Sequence, residues 1–137
     1  MTNRVLILAC ACALLGTGCY DDDEGYDFRF EIGPTLEPDP PVANEAFELR
    51  FRARNSGDWD AEDVRWTVYR DGTEAQTGLI DLDEHESRDV IVLMNPDTAG
   101  THTYRVVLDP RDRFDEEREG NNDASITVGV VPIIDPG

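Results

Sequence analysis

Nine residues, Ala46–Arg54, alternate without a slip. Phe47, Leu49, Phe51 and Ala53 fall on one parity; Glu48, Arg50, Arg52 and Arg54 fall on the other. A helix turns every 3.6 residues and would scatter this pattern around its axis, whereas a strand puts each parity on one face. The segment therefore demands a sheet with one buried and one solvated side. The rest of the chain repeats the demand in short pieces. Asp27–Gly33 alternates with Phe28, Phe30 and Ile32 inward, and the Pro-rich Pro34–Pro41 reads as a non-helical connection. Asp63–Tyr69 points Val64, Trp66 and Val68 inward, and Thr73–Leu79 reads as a short return strand at an edge. Ser87–Met94 carries Val90, Val92 and Met94 on one parity, but Ile91 and Leu93 make the other apolar too, which leaves its inward face open. Thr101–Leu108 turns Tyr104, Val106 and Leu108 inward, and Ala124–Val130 turns Ile126, Val128 and Val130 inward.

Turn chemistry separates these strands: Asn55-Ser56-Gly57-Asp58, Arg70-Asp71-Gly72, Asn95-Pro96-Asp97 and Ala99-Gly100. No long stretch has a 3.6 period. Seven short strands with turns between them predict an all-β fold, a single antiparallel sandwich of the immunoglobulin-like or fibronectin III-like kind. Trp66 in mid-strand and Tyr104 early in the penultimate strand are placed as packing residues of its core.

The first 26 residues do not belong to that sandwich. Met1–Arg4 carries one positive side chain, Val5–Leu15 is an apolar run too short to span a bilayer, and Leu15-Gly16-Thr17-Gly18-Cys19 follows. This resembles the lipobox of bacterial lipoproteins, with Gly16 where a large aliphatic residue is usual and Leu15 one place further back. The resemblance implies a signal peptide over 1–18 and a lipidated Cys19. Ordinary cleavage after Ala11-Cys12-Ala13 is the alternative. Residues 19–26, with Asp21-Asp22-Asp23-Glu24, read as an acidic spacer, and 27–137 as the domain. Cys10 and Cys12 leave with the leader, so the remaining 137 − 18 = 119 residues hold one cysteine and can form no internal disulfide. That length suits one domain with its own core. The expected address is outside the cytoplasm, lipid-anchored to the bacterial cell envelope, at the outer membrane or cell surface rather than the inner membrane.

The formal charge is −18, from 30 acidic residues against 12 arginines and no lysine. Such a chain repels phosphate backbones, so nucleic acid is excluded as a partner. With no lysine there is no Schiff-base chemistry. Ser56, Ser87 and Ser125 sit in no Gly-x-Ser-x-Gly elbow, and no Gly-rich phosphate loop occurs. Paired carboxylates abound, but in so acidic a chain a pair identifies nothing. No catalytic residue is expected.

The turns and strand ends together resemble one family, the CARDB domain, the "cell adhesion related domain found in bacteria". Asn55-Ser56-Gly57 is similar to its Asn-x-Gly turn, Ala61 and Val64 to its small-then-aliphatic pair, and Asp71-Gly72 to its next hairpin. Gly100-Thr101-His102-Thr103-Tyr104-Arg105-Val106 resembles its Gly-x-Tyr-x-aliphatic strand entry, two residues longer. Asp109-Pro110, Phe114, and Glu116, Glu119, Asn121 and Asn122 resemble the closing Glu-x-x-Glu-x-Asn-Asn segment, its most specific part. The resemblance spans roughly Phe47–Val130 and implies an exported β-sandwich with a binding or adhesive role, and no enzyme.

Candidate sites follow from charge and exposure. The segment Asp109–Asp123 includes Asp109, Asp112, Glu116, Glu119, Asn121 and Asn122. It reads as a loop braced by Asx-type bonds, with Glu116 and Glu119 held against arginine. Calcium, a hard cation that collects carboxylate oxygens, is the other reading. No other cofactor is expected. In Asp81–Glu86, Leu82 turns inward; His85 and His102, 102 − 85 = 17 positions apart, have no metal-ligand spacing. His102 shares parity with Tyr104 and reads as a satisfied, partly buried imidazole. Arg50, Arg52 and Arg54 form a basic stripe that either pairs with acids on neighbouring strands or docks an acidic partner. Trp59 either caps the core or stands out as a contact for a partner. The expected partners are the membrane, through the lipid, and a protein or glycan. A scaffold role in an envelope complex and, more remotely, an envelope hydrolase are the alternatives.

Overall fold

The computed structural model describes residues 25–116 and 122–133. Seven strands order them: β1 (Phe28–Glu37), β2 (Phe47–Asn55), β3 (Ala61–Arg70), β4 (Thr73–Leu82), β5 (Ser87–Met94), β6 (Gly100–Leu108) and β7 (Asp123–Val130). They form a three-stranded sheet, β1-β2-β5, and a four-stranded sheet, β4-β3-β6-β7. All pairings are antiparallel. This is the expected immunoglobulin-like sandwich.

The alternation decides which side of each strand is dry. Phe47, Leu49, Phe51 and Ala53 are buried against Val64, Val68, Tyr104, Val106 and Leu108 in one apolar cluster. The inward face of β5 is Val90, Val92 and Met94, while Ile91 and Leu93 are 59% and 67% exposed. Trp66 packs partly buried against that core, its ring 6.1 Å from Phe51 and edge-on. Gly78 lies directly across from it in β4. A Cβ there would fall 2.4 Å from the Trp66 ring, so the indole occupies the room that the glycine leaves.

The first strand departs from expectation. It does not stop at Gly33 but runs through Pro34 to Glu37. As an edge strand it tolerates a residue that donates nothing to the ladder. Two register shifts, between Phe30 and Ile32 and between Ile32 and Thr35, absorb the irregularity. The first shift sets Ile32, expected inward, opposite Arg52 and leaves it 46% exposed; the second restores the parity, so Leu36 lies opposite Leu49 and is 4% exposed. The return strand β4 is also longer than expected, reaching Leu82, which is fully buried. It is an edge strand as expected. In the hairpin before it Asp71 and Gly72 both have positive φ, 51° and 86°, as a two-residue primed turn requires.

Candidate functional site

The strands carry their loops to two poles. One pole, where the chain enters at Gly25, gathers Gly25–Asp27, the loop after β2, the loop after β4 and the loop after β6. Asn55 organises it. Its parity continues that of Ala53, so its side chain enters the core end and is wholly buried. The carboxamide oxygen accepts from the N–H of Gly57 at 3.0 Å and of Asp27 at 3.3 Å. The amide nitrogen donates to the carbonyls of Trp59 at 2.7 Å and Leu82 at 3.1 Å. One side chain thus ties three chain segments together. Gly57 packs so tightly beneath Gly25 that an added Cβ would lie 2.0 Å from the Gly25 carbonyl oxygen.

Trp59 rides on this framework. Its N–H donates to the Gly25 carbonyl at 3.2 Å, and its own carbonyl is held by Asn55. Tyr26 meets the indole edge-on at 5.5 Å and rests in turn on Phe114 at 4.9 Å and Phe28 at 5.9 Å. The ring is nonetheless 55% exposed. Trp59 therefore leans on the aromatic end of the core and presents half of itself to solvent. Around it, Asp58 contacts His85 Nε2 at 2.8 Å and Asp60 accepts from the Glu84 N–H at 2.8 Å, which locks the loop after β2 onto the loop after β4. The His85–Asp58 pair was not legible in the sequence, because the 27 positions between them carry no periodic signal.

The arginine stripe is largely engaged within the chain. Arg50 bonds Glu48 at 2.6 Å, Arg52 bonds Asp89 at 2.7 Å and lies 3.7 Å from Glu31, and Arg54 donates to Ser87 Oγ at 3.3 Å. A shallow groove of about 270 Å³ runs over the stripe between Ile32 and Ile91.

In the loop after β6, Asp109 closes a tight turn. Its two carboxylate oxygens accept from the N–H groups of Arg113 and Phe114 at 3.0 and 2.9 Å. Asp112 donates its N–H to the Asp109 carbonyl at 3.0 Å. Glu116 is buried and reaches across to β1, where it accepts from the Phe28 N–H at 2.9 Å; its other oxygen accepts from the Asn122 amide. Its partners are thus a backbone amide and Asn122, not the arginine expected. Burial pushes the Glu116 carboxyl up to about 7, against the two hydrogen bonds that favour its charged form. Among the described residues no three acidic or imidazole groups gather into a metal cage. Glu119 and Asn121 lie outside the described residues, as does Cys19.

The opposite pole holds a polar junction of three elements. His102, with its side chain only 13% exposed, sets Nδ1 2.6 Å from Asp71 and Nε2 2.8 Å from the Thr98 carbonyl. Asp97 lies 3.4 Å from the same imidazole and accepts from the Tyr104 hydroxyl at 2.6 Å. The bond to Asp71 raises His102 above the ordinary imidazole range, and Asp71 is held low, chiefly by the Thr103 N–H and then by His102. Parity exposed His102 as satisfied; its partners, in two separate turns, were not readable. The two histidines stand at opposite poles.

Two antiparallel sheets closed over one apolar core, with loops gathered at two poles, define a β-sandwich of the immunoglobulin-like class. The CARDB family model matches residues 28–126, and the chain belongs to the CARDB family. Among solved structures it is similar to the CARDB domain of a Pyrococcus furiosus protein, solved in complex with di-metal ions. The two are 22% identical with a TM-score of 0.71, covering 82% of this chain and all of that one (100%). A domain ascribed to a cell surface protein of Methanosarcina acetivorans matches with a TM-score of 0.61 at 24% identity, over 75% of this chain and 91% of that one. Among curated proteins no relative matches.

Proposed function

We propose that this chain is a cell-envelope lipoprotein. Its leader, residues 1–18, is removed, Cys19 carries the lipid, and the CARDB domain serves as a non-catalytic module that binds a protein or glycan outside the cytoplasm. The observation that carries the binding reading is Trp59. A large aromatic ring, 55% exposed, stands on a loop whose backbone is bonded on both sides of it. Large apolar rings held rigid at a surface are favoured anchors, since little freedom is lost when a partner covers them. The leader pattern ending at Cys19 supports the anchor. In the loop after β6, the carboxylates of Asp109 and Glu116 accept from backbone amides and from Asn122, which supports the loop-bracing reading of these two residues.

Two measurements test it. Mass spectrometry of the mature chain should find it beginning at an acylated Cys19, and Cys19→Ser should release it into the soluble fraction; a soluble mature form beginning elsewhere sinks the anchor. A photo-crosslinking side chain at position 59 should capture a partner that the same group at Thr127, exposed on β7, does not. Equal capture from both positions removes Trp59 as the contact.

A further inference from the structure

The surroundings of Trp59 narrow what it takes. Asp58 and Asp60 flank it, both exposed, and the loop after β4 brings exposed Asp83 and Glu84 to the same pole. Cations answer this crowding only in part. Asp60, followed by burial, Glu86 and Asp81, raises the Asp83 carboxyl above its ordinary range, and Arg88 offsets this only in part. Arg88 itself lies 3.8 Å from Glu86, and His85 serves Asp58. Elsewhere the chain lays its own guanidinium groups on rings, Arg105 over Tyr69 at 5.7 Å and Arg113 over Phe114 at 5.0 Å. Among the described residues, no such cation lies over Trp59, the ring type that attracts cations most strongly.

We propose that this pole docks a basic side chain of a protein partner, arginine or lysine, which stacks on the exposed face of Trp59 and meets the carboxylates of Asp58 and Asp60. The inference rests on reading the chain as a binding module and names its partner's chemistry. A neutral sugar would stack on the ring and leave the acidic crowding unrelieved. A second copy of this chain, or an anionic bilayer, would bring more negative charge to it. A cationic side chain answers both features, and the pinned loop keeps the cost of ordering small.

The full chain is titrated by calorimetry, at about 0.15 M salt so that diffuse attraction is screened, with the probe acetyl-Gly-Arg-Gly-Arg-Gly-amide and its Glu counterpart. The arginine peptide should bind and the glutamate peptide should not. Trp59→Ala should weaken binding roughly three- to thirty-fold, with Trp59→Phe recovering part of the loss. Asp58→Asn with Asp60→Asn should weaken it as well. Trp66, packed against the core, reports by its fluorescence that each variant is folded. Unchanged binding by Trp59→Ala overturns the inference, because the peptide then only screens an acidic surface. So does a Trp59-dependent response to a neutral oligosaccharide or to phosphatidylcholine vesicles in place of the basic peptide. Crosslinking from position 59 to a partner without basic preference defeats this inference and leaves the binding-module reading standing; no Trp59-dependent partner of any kind defeats both.

Discussion

Asn55 makes four hydrogen bonds from a fully buried side chain, so its removal takes the partner from two N–H groups and two carbonyls; the bonds to Gly57 and Leu82 are buried, those to Asp27 and Trp59 partly so. Each such orphan costs about 1–3 kcal/mol, with partial relaxation. Asn55→Ala is therefore expected to lose about 3 kcal/mol or more in urea denaturation, far beyond a surface substitution. Asn55→Asp should not rescue it, because its second oxygen would face the carbonyls of Trp59 and Leu82 without a proton to offer. A loss within experimental error would show that the pole is held by other contacts. The sequence showed half of this residue. Asn55-Ser56-Gly57 was readable as a turn, but the burial of the Asn55 side chain was not read from it. That it reaches Leu82, 27 positions away, depends on how two sheets meet, which no local pattern encodes.

At the scale of elements, two junctions make the sandwich lose stability as pH rises. Glu116 ties the loop after β6 to the first residue of β1. Burial holds its folded carboxyl at about 7, against 4.5 for an ordinary glutamate, so between those values the folded state holds more proton than the unfolded one. Stability must then fall as pH rises through this window. Glu116→Gln keeps an acceptor for Phe28 and removes the proton; its denaturation midpoint should change less than that of the parent between about pH 5 and pH 7.5. Parallel slopes would show that burial does not perturb Glu116. The far junction responds in the same direction. His102 is raised by Asp71, so its contribution is fully present below the ordinary imidazole range and is lost as pH rises through its folded value. Asp71 is lowered, so its part disappears only in strong acid. His102→Gln should cost most near pH 6 and progressively less toward pH 9, read from melting temperatures across that range. These junctions escaped the sequence because Asp71, Asp97 and His102 fall in three separate segments. The second half of β1, Pro34–Glu37, escaped for another reason. Pro34 marks a break wherever a ladder needs its N–H, and only the sheet order reveals that β1 is an edge.

For the molecule as a whole, the succession of seven strands was legible because it is written locally, in parity along each strand and in turns such as Arg70-Asp71-Gly72. The sites were not, because loops distant in sequence build them. Charge is the one global property that composition states directly. With 30 acidic residues against 12 arginines, most carboxylates have no cation to answer them. Ion pairs such as Arg50–Glu48, Arg52–Asp89 and Arg105–Asp123 join exposed groups and contribute little each, and Arg70 stands 3.9 Å from the buried Asp97. Salt weakens those attractions and the wider repulsion together, but the repulsions outnumber them and act over longer distances. The screening length contracts from about 30 Å at 0.01 M to about 3 Å at 1 M salt, which removes the long-range term first. The folded state holds the carboxylates closer together than the unfolded chain does, so it gains more from screening. Raising sodium chloride from about 0.01 M to 1 M should accordingly raise the urea midpoint at neutral pH. The effect should shrink near the isoelectric pH of about 4.2, where the net charge vanishes. A midpoint that falls with salt at neutral pH would mean that the few arginine pairs outweigh the surplus of acid, and that the acidic poles are better neutralised than their residues suggest.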